Sequence, residues 1–282
     1  MTSVLPNFLV IGAMKAGTTS LYRYLCQHPQ VLMPQTKELD FFVEEEKWKL
    51  GRGWYERQFQ GLREDVIAVG EASTGYSKYP KYSGVPGRIA MLLPDVRLIY
   101  LVRHPVERML SHYLHMALSR REPEPIERAL LANPEYVNTS RYALQIEQYL
   151  KHFPRERLLV IKSEDLRDMR AETMRRIYGF LGVDSTYVPP TLSREFFRTS
   201  ERRRYRPLVR AIRRTPVRAA AARLLPRFFK RKLRRIVTVP AVDPEKVGIS
   251  LDLRHRLEEL VRDDVKRLRA YMDERFDGWG IG

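Results

Sequence analysis

The chain has 282 residues, a mass of 33.3 kDa and a formal net charge of +17 at pH 7. Its residues are 44% hydrophobic and 30% charged, a globular composition that excludes a disordered, coiled-coil or collagen-like chain. The excess of basic residues predicts an acidic partner, but it does not distinguish a nucleic acid from an anionic lipid or a phosphorylated small molecule.

Targeting signals and metal motifs are missing from the sequence. The N-terminal residues have neither the basic nor the long apolar region of a signal peptide, and no stretch approaches the roughly 18 apolar residues that span a bilayer. The single cysteine, Cys26, cannot form an intramolecular disulfide, and no Cys/His cluster has the spacing of a zinc site. We therefore expect a cytoplasmic protein without a bound metal.

Short apolar runs alternate with amphipathic helices along the first 200 residues. The runs end in glycine or a basic residue, as buried strands of a parallel sheet do. Strands are predicted at residues 8–11, 66–69, 97–102 and 157–161, and helices at 106–117 and 171–181, with a further helix that Thr18 or Thr19 caps and that stops before Pro29. This order predicts a three-layer α/β/α fold with a central parallel sheet.

The first strand is followed by a glycine-rich loop that is typical of phosphate binding. Gly12 and Gly17 have the Gly-x4-Gly spacing of a loop whose backbone N–H groups surround an anion at a helix N-terminus. Thr18 stands where a Walker A loop has its lysine, and Lys15 lies inside the loop instead. The strand at 97–102 also lacks the terminal Asp that holds magnesium in P-loop NTPases. A P-loop-like site that handles a nucleotide without metal is expected.

Two motifs resemble those of sulfotransferases that use 3′-phosphoadenosine 5′-phosphosulfate (PAPS). The stretch Lys15-Ala-Gly-Thr-Thr-Ser20 is similar to the 5′-phosphosulfate loop of that family. Arg103 and Ser111, eight residues apart, resemble the Arg and Ser that bind the 3′-phosphate in the family. The resemblance covers residues 7 to about 207 and implies PAPS as co-substrate and adenosine 3′,5′-bisphosphate (PAP) as product, without metal. The implied donor-binding residues are Lys15, Ala16, Gly17, Thr18, Thr19, Ser20, Arg103 and Ser111.

A third segment resembles the heparan sulfate branch of the family. Lys37-Glu38-Leu-Asp-Phe-Phe42 is similar to its Lys-Glu-x-x-Phe-Phe segment, where the Glu is the proposed base. The resemblance implies that Glu38 removes the proton of the acceptor hydroxyl, while Lys15 stabilises the charge that develops on the leaving phosphate. The alternative is that Glu38 is a loop charge paired with Lys37.

The chain departs from the heparan-type pattern at two places. Ala72 replaces the Lys that follows the Glu of the second buried strand in that pattern. The Glu itself, Glu71, either lines the acceptor pocket or has a structural role. The late Lys-Gly-Arg loop over the 3′-phosphate corresponds to Arg202, Arg203 and Arg204, where Arg203 replaces the glycine and Arg204 best matches the family arginine.

The C-terminal third carries most of the charge. Residues 198–235 contain 16 Lys or Arg and one acidic residue, and therefore 15 of the 17 net positive charges. This basic segment either steers the donor and an acidic acceptor into the site or contacts an anionic membrane peripherally. An amphipathic helix is predicted at about 247–273, and the whole chain, residues 1–282, is predicted to be one domain.

The expected function is transfer of a sulfuryl group from PAPS to an acceptor hydroxyl by in-line displacement. The acceptor is a saccharide, a lipid or another small-molecule alcohol, and no nucleic acid is expected as partner. Two alternatives stay open: a P-loop nucleotide kinase that requires magnesium, and a non-enzymatic basic protein that binds a membrane or nucleic acid through residues 198–235.

Overall fold

The computed structural model describes residues 4–119, 121–194, 196, 203–205, 238–240 and 248–282. The chain forms two compact units: one comprises Met1–Tyr113, Glu124–Phe196 and Ile249–Gly282, and the other comprises Leu114–Pro123 and Phe197–Gly248. Apart from the backbone of residues 203–205, the basic segment 198–235 lies outside the described residues.

The first unit contains a parallel sheet of five strands with the order β2-β3-β1-β4-β5. Each residue of the central strand β1 is buried, because helices cover both faces of the sheet. This arrangement confirms the predicted three-layer α/β fold. The strands are β1 (Phe8–Gly12), β2 (Val31–Leu32), β3 (Ala68–Ala72), β4 (Arg97–Val102) and β5 (Leu158–Lys162).

Helices connect the strands and extend the unit beyond the last one. Short 3-10 turns occupy Thr74–Ser77, Arg155–Arg157, Arg269–Tyr271 and Gly278–Gly280. The helices are α1 (Thr18–Leu25), α2 (Glu45–Lys49), α3 (Gly51–Glu56), α4 (Val85–Leu92), α5 (Pro105–Leu118), α6 (Ile126–Ala132), α7 (Pro134–Asn138), α8 (Tyr142–Tyr149), α9 (Ser163–Asp168), α10 (Arg170–Leu181) and α11 (Leu251–Leu268).

Strand β3 lies further along the chain than its sequence predicts. The apolar run predicted a strand at 66–69, whereas the paired residues continue to Ala72 and include Glu71. Glu71 is only 1% exposed, and a buried carboxylate inside a strand is a feature that apolar periodicity does not detect.

The start of α1 also differs from the prediction. Gly17, with φ of 93°, occupies the N-cap position, and no side chain caps the helix, so neither Thr18 nor Thr19 has the predicted role. A residue with a side chain is strained at this φ. The two threonines lie inside the first turn, where their side chains are available to the site.

The C-terminal helix α11 fixes the N-terminus of α8. It buries Leu253, Leu257 and Val261 at helical spacing, and its Asp264 carboxylate accepts hydrogen bonds from the backbone N–H groups of Ala143 (3.0 Å) and Leu144 (2.9 Å). A carboxylate at a helix N-terminus satisfies N–H groups that have no partner within the helix. This contact holds α8 in place beside the end of β4.

None of the helices in the described ranges has the length and apolar character needed to cross a membrane. Within those ranges there is also no group of three or more His, Cys, Asp or Glu side chains placed to hold a metal ion.

Candidate active site

The loop between β1 and α1 has the form that binds an anion. Its fold is fixed by hydrogen bonds from Ala13 N–H to the Leu101 carbonyl (2.7 Å) and from Ala16 N–H to the Ala13 carbonyl (3.1 Å). Gly17 is needed for its positive φ, and a Cβ there would approach Ser163 Oγ at 3.4 Å. The N-terminal turn of α1 follows directly, and its N–H groups and dipole favour a negative charge.

Lys15 adopts a left-handed conformation within this loop, with φ of 73°. Guanidinium groups contact the carbonyls on both sides of its Cα: Arg103 Nη1 lies 3.4 Å from the Lys15 carbonyl and Arg108 Nη1 lies 3.5 Å from the Met14 carbonyl. Such long, charge-assisted contacts favour one orientation of each peptide. The structure thereby brings two predicted donor-binding residues, Lys15 and Arg103, together.

Arg103 lies in a rigid turn at the end of β4. The Tyr142 hydroxyl donates to the Arg103 carbonyl (2.7 Å), and the His104 N–H donates to the Glu164 carboxylate (3.0 Å). Helix α5 begins at Pro105, and Ser111 lies buried about two turns into it. Glu107 does not pair with Arg103; it forms an ion pair with Arg254 at 2.8 Å.

Glu38 lies beside the first turn of α1. Lys37 Nζ is 2.9 Å from Glu38 Oε1 and 3.5 Å from Thr18 Oγ1. The Thr74 hydroxyl also contacts the carboxylate, at 3.1 and 3.2 Å from its two oxygens. The Lys37–Glu38 pair named as the alternative to catalysis does exist. It lies beside the phosphate loop, however, so that pairing does not remove Glu38 from the site.

The segment that carries Glu38 is anchored by aromatic packing. Phe41 and Phe42 are fully buried, and the Phe41 ring stacks on Tyr55 with centroids 4.4 Å apart. Lys47 Nζ donates to the Leu39 carbonyl at 2.8 Å. Burial of two phenylalanines stabilises this segment by several kcal/mol, on the order of 2 to 3 for each ring, and thereby holds Glu38 near the sheet.

Two acidic groups close to Glu38 have perturbed ionisation. Burial raises the pKa of Glu71 to about 7, although hydrogen bonds from Tyr76, Tyr55 and Ser73 act in the opposite direction. Burial, together with the negative charge of Glu38, also raises the pKa of Asp40. Carboxylates with raised pKa values that lie near a candidate base are typical of a functional site.

The remaining predicted donor residues are only partly described. Ser20 Oγ accepts a hydrogen bond from the Phe196 N–H (3.0 Å), and Thr19 lies in the same turn of α1. Arg203 and Arg204 belong to strand β6 (Arg203–Tyr205), which pairs antiparallel with β7 (Thr238–Pro240), and only their backbone is described. Arg202 lies outside the described residues.

Arg108 is a residue of the site that sequence reasoning missed. Its guanidinium is fully buried and donates to Ser140 Oγ (2.6 Å) and to the Tyr136 carbonyl (2.6 Å), besides its contact with Met14. No ion pair in the described ranges includes Arg108, and burial lowers the pKa of its guanidinium. Its position on α5, three residues before Ser111, was the available signal, because residues at this spacing share a helix face.

The fold and the site define an α/β protein with a P-loop-like loop between its central strand and a helix. The sulfotransferase domain family matches residues 5–203, and the chain belongs to that family. The chain is 31% identical over 205 residues to mouse bifunctional heparan sulfate N-deacetylase/N-sulfotransferase 4, with 65% of this chain and 23% of the relative covered. It is 30% identical over 191 residues to mouse heparan sulfate glucosamine 3-O-sulfotransferase 3A1, with coverages of 64% and 46%.

Other relatives extend the likeness. Membrane-associated sulfotransferase kil1 of Dictyostelium discoideum is 38% identical over 128 residues, with 44% of this chain and 26% of the relative covered. A sulfotransferase structure from Alicyclobacillus acidocaldarius aligns with a TM-score of 0.70 and 27% identity, over 98% of this chain and 99% of that one. The chain thus spans between a quarter and a half of the curated relatives, but nearly all of this structural neighbour.

We predict that Arg108→Met lowers the free energy of unfolding by about 3 kcal/mol, because the Tyr136 carbonyl and the Ser140 hydroxyl lose a charged partner inside the fold. Urea unfolding measures the loss. Arg256→Met is the matched control, since that side chain is 60% exposed, and it should change stability by less than about 0.5 kcal/mol. Equal stability of the Arg108 and Arg256 variants would show that the buried hydrogen bonds of Arg108 do not stabilise the fold.

Proposed function

We propose that this protein transfers a sulfuryl group from PAPS to an acceptor hydroxyl, with Glu38 as base and Lys15 stabilising the leaving phosphate. The observation that carries the proposal is the position of Lys37, whose ammonium contacts both the Glu38 carboxylate and the Thr18 hydroxyl at the start of α1. The Lys37 side chain thereby links the Glu38 carboxylate to the start of α1, which directly follows the loop that would hold the phosphosulfate. In an in-line displacement the base reaches the attacking hydroxyl on the side of sulfur opposite the leaving phosphate, so Glu38 has to lie near the transferred group while Lys15 lies at the leaving oxygen.

The donor has negative charge at two ends, and the chain offers two cationic positions to match it. Lys15 and the first turn of α1, Ala16 to Ser20 in sequence, suit the 5′-phosphosulfate, while Arg103 and Ser111 suit the 3′-phosphate. The contact between Arg103 and the Lys15 carbonyl supports this pairing of subsites within one bound nucleotide. Arg202, Arg203 and Arg204 stay candidates for the same nucleotide.

The chemistry assigned to these residues is a single displacement at sulfur. The acceptor oxygen forms a bond to sulfur as Glu38 accepts the hydroxyl proton, and the bond between sulfur and the phosphate oxygen breaks. Negative charge then grows on the 5′-phosphate of PAP, where the Lys15 ammonium stabilises it. No metal is needed for this charge balance, because a lysine and a helix N-terminus meet the leaving group.

The acceptor is inferred from the relatives and not from a contact. Two of them are named for heparan sulfate, which favours a saccharide acceptor over a lipid or another small alcohol. The name of one, a 3-O-sulfotransferase, supports a hydroxyl as the acceptor group. A cytoplasmic location, with peripheral contact between residues 198–235 and an anionic membrane, is our proposal from the charge of that segment and from the single, unpaired Cys26. We propose that the two compact units of residues 1–282 belong to one sulfotransferase domain, because the Alicyclobacillus acidocaldarius structure aligns with 98% of the chain.

Calorimetry with PAP in the presence of EDTA tests the donor half of the site. We expect saturable binding without metal, weakened by at least about tenfold in Lys15→Ala and in Arg103→Ala, since each variant loses a charged hydrogen bond to a phosphate. Lys49→Ala is the control for a lysine whose side chain is 61% exposed, and its PAP affinity should stay unchanged.

Two outcomes of this calorimetry contradict the proposal. Binding of ATP with magnesium but not of PAP would favour the nucleotide kinase. PAP binding that is insensitive to both Lys15→Ala and Arg103→Ala would assign the anion affinity to another surface, such as the basic segment.

Glu38→Gln tests the base. The amide keeps the size of the side chain and can still accept a hydrogen bond from Thr74, so PAP affinity should be retained, while turnover falls by about 100-fold or more. Labelled PAPS with a panel of saccharide, lipid and phenol acceptors provides the assay. Glu46→Gln, at a side chain that is 87% exposed, is the control. Normal turnover by Glu38→Gln would place the base elsewhere.

A further inference from the structure

Glu71 is a buried carboxylate of strand β3. It is 1% exposed, and no ion pair in the described ranges includes it. Burying an unpaired carboxylate is costly unless hydrogen bonds stabilise the charge.

Hydroxyl groups provide those hydrogen bonds. The Tyr55 hydroxyl donates to Glu71 Oε1 at 2.7 Å and the Tyr76 hydroxyl donates to the same oxygen, while Ser73 Oγ donates to Oε2 at 2.9 Å. All three hydroxyls can donate at once to an ionised carboxylate, and these bonds oppose the rise in the Glu71 pKa that burial causes. They also fix the orientation of the carboxylate between Tyr55, Tyr76 and Ser73.

Ser73 carries this interaction to the segment that holds Glu38. Its oxygen accepts the Asp40 N–H at 3.0 Å, so its single proton is directed to Glu71. The next residue, Thr74, donates to both oxygens of Glu38. A Cβ on Gly75 would lie 2.8 Å from Asp40 Oδ1, which shows how closely the two segments approach.

The turn formed by Glu38 and Asp40 needs such support. Both residues have left-handed backbone conformations, with φ of 64° and 51°. Each costs on the order of 1 to 3 kcal/mol unless the surroundings compensate. Ser73 accepts the Asp40 N–H and Thr74 donates to the Glu38 carboxylate, so each residue of the strained turn has a hydrogen-bond partner.

We propose that Glu71 is a positioning residue: its carboxylate orients Ser73, and Ser73 holds the turn that presents Glu38 to the acceptor. The catalytic part of this inference rests on the proposed function, whereas the positioning part does not. The hydrogen-bond partners of the Glu71 carboxylate in the described ranges are Tyr55, Tyr76 and Ser73, so its effect passes through Ser73 to the Asp40 backbone and through the adjacent Thr74.

Hydrogen exchange tests the positioning part without any substrate. In Glu71→Gln the amide cannot accept from all three hydroxyls, so the bond from Asp40 N–H to Ser73 should weaken and exchange of the Asp40 amide should rise by about tenfold or more. Ser73→Ala removes the same link and should reproduce this local increase. The full-length protein is used in each case.

Tyr149→Phe is the matched control. Its hydroxyl is buried in the same region and donates to the Tyr76 carbonyl at 2.9 Å, but it does not contact the Glu38 turn. This variant should leave the Asp40 amide unchanged. If amide exchange in Glu71→Gln rises equally throughout β3 and the Glu38 turn, Glu71 only stabilises the fold and the proposal is overturned. Unchanged exchange at the Asp40 amide would overturn it as well.

Kinetics test the catalytic part, with labelled PAPS and a heparan-derived oligosaccharide as the probe. Glu71→Gln and Ser73→Ala should each lower kcat by about tenfold or more, with the KM for PAPS little changed. The double variant should lower kcat no further than the single variants do, since the two residues act through the same hydrogen bond. Normal kcat in Glu71→Gln would contradict the proposal. Should the wild-type protein transfer no sulfuryl group to this probe or to the acceptor panel, the proposed function fails, while the exchange experiment still decides the role of Glu71.

Discussion

The candidate site is centred on one interaction, the contact of the Lys37 ammonium with both Glu38 and Thr18. It joins two segments that are separated in sequence by the rest of α1 and by strand β2: the first turn of α1, which follows the phosphate loop, and the segment that carries the candidate base. The side chain of Lys37 is 15% exposed and that of Glu38 is 39% exposed. A partly exposed pair of this kind contributes about 1 kcal/mol or less, so it cannot by itself hold the two segments together.

The surroundings provide the rigidity that this pair lacks. Buried Phe41 and Phe42 fix one side of the Glu38 turn, and Ser73 and Thr74 fix the other. On the donor side, Arg103 and Arg108 hold the carbonyls that flank Lys15, and Tyr142 holds Arg103. Because Asp264 caps the helix that begins at Tyr142, the C-terminal helix α11 contributes to the donor site without touching it. A catalytic arrangement needs this kind of outer support to keep its geometry.

The sequence allowed accurate prediction where a local pattern determines the structure. Strand 97–102 and the helices after it depend on apolar periodicity, and the phosphate loop depends on glycine spacing, so both were predictable. Strand β3 was placed too early because Glu71 interrupts its apolar run, although the residue is buried. Arg108 was not predicted as a site residue, and the contact of Lys37 with Thr18 was not predicted either. The partners, Met14, Tyr136 and Thr18, lie far away in the sequence, and spacing rules carry no information on such contacts. The left-handed turn at Glu38 and Asp40 was unpredictable for a similar reason, since tertiary hydrogen bonds offset its local strain.

A crystal structure of the protein with bound PAP tests the central claim most directly. The account predicts that the 5′-phosphate lies against the N-terminus of α1 within hydrogen-bond distance of Lys15 Nζ, that the 3′-phosphate contacts Arg103 and Ser111, and that the Glu38 carboxylate faces the position from which sulfur was transferred. A nucleotide bound elsewhere, or one whose 5′-phosphate points away from Lys15 and Glu38, would contradict it.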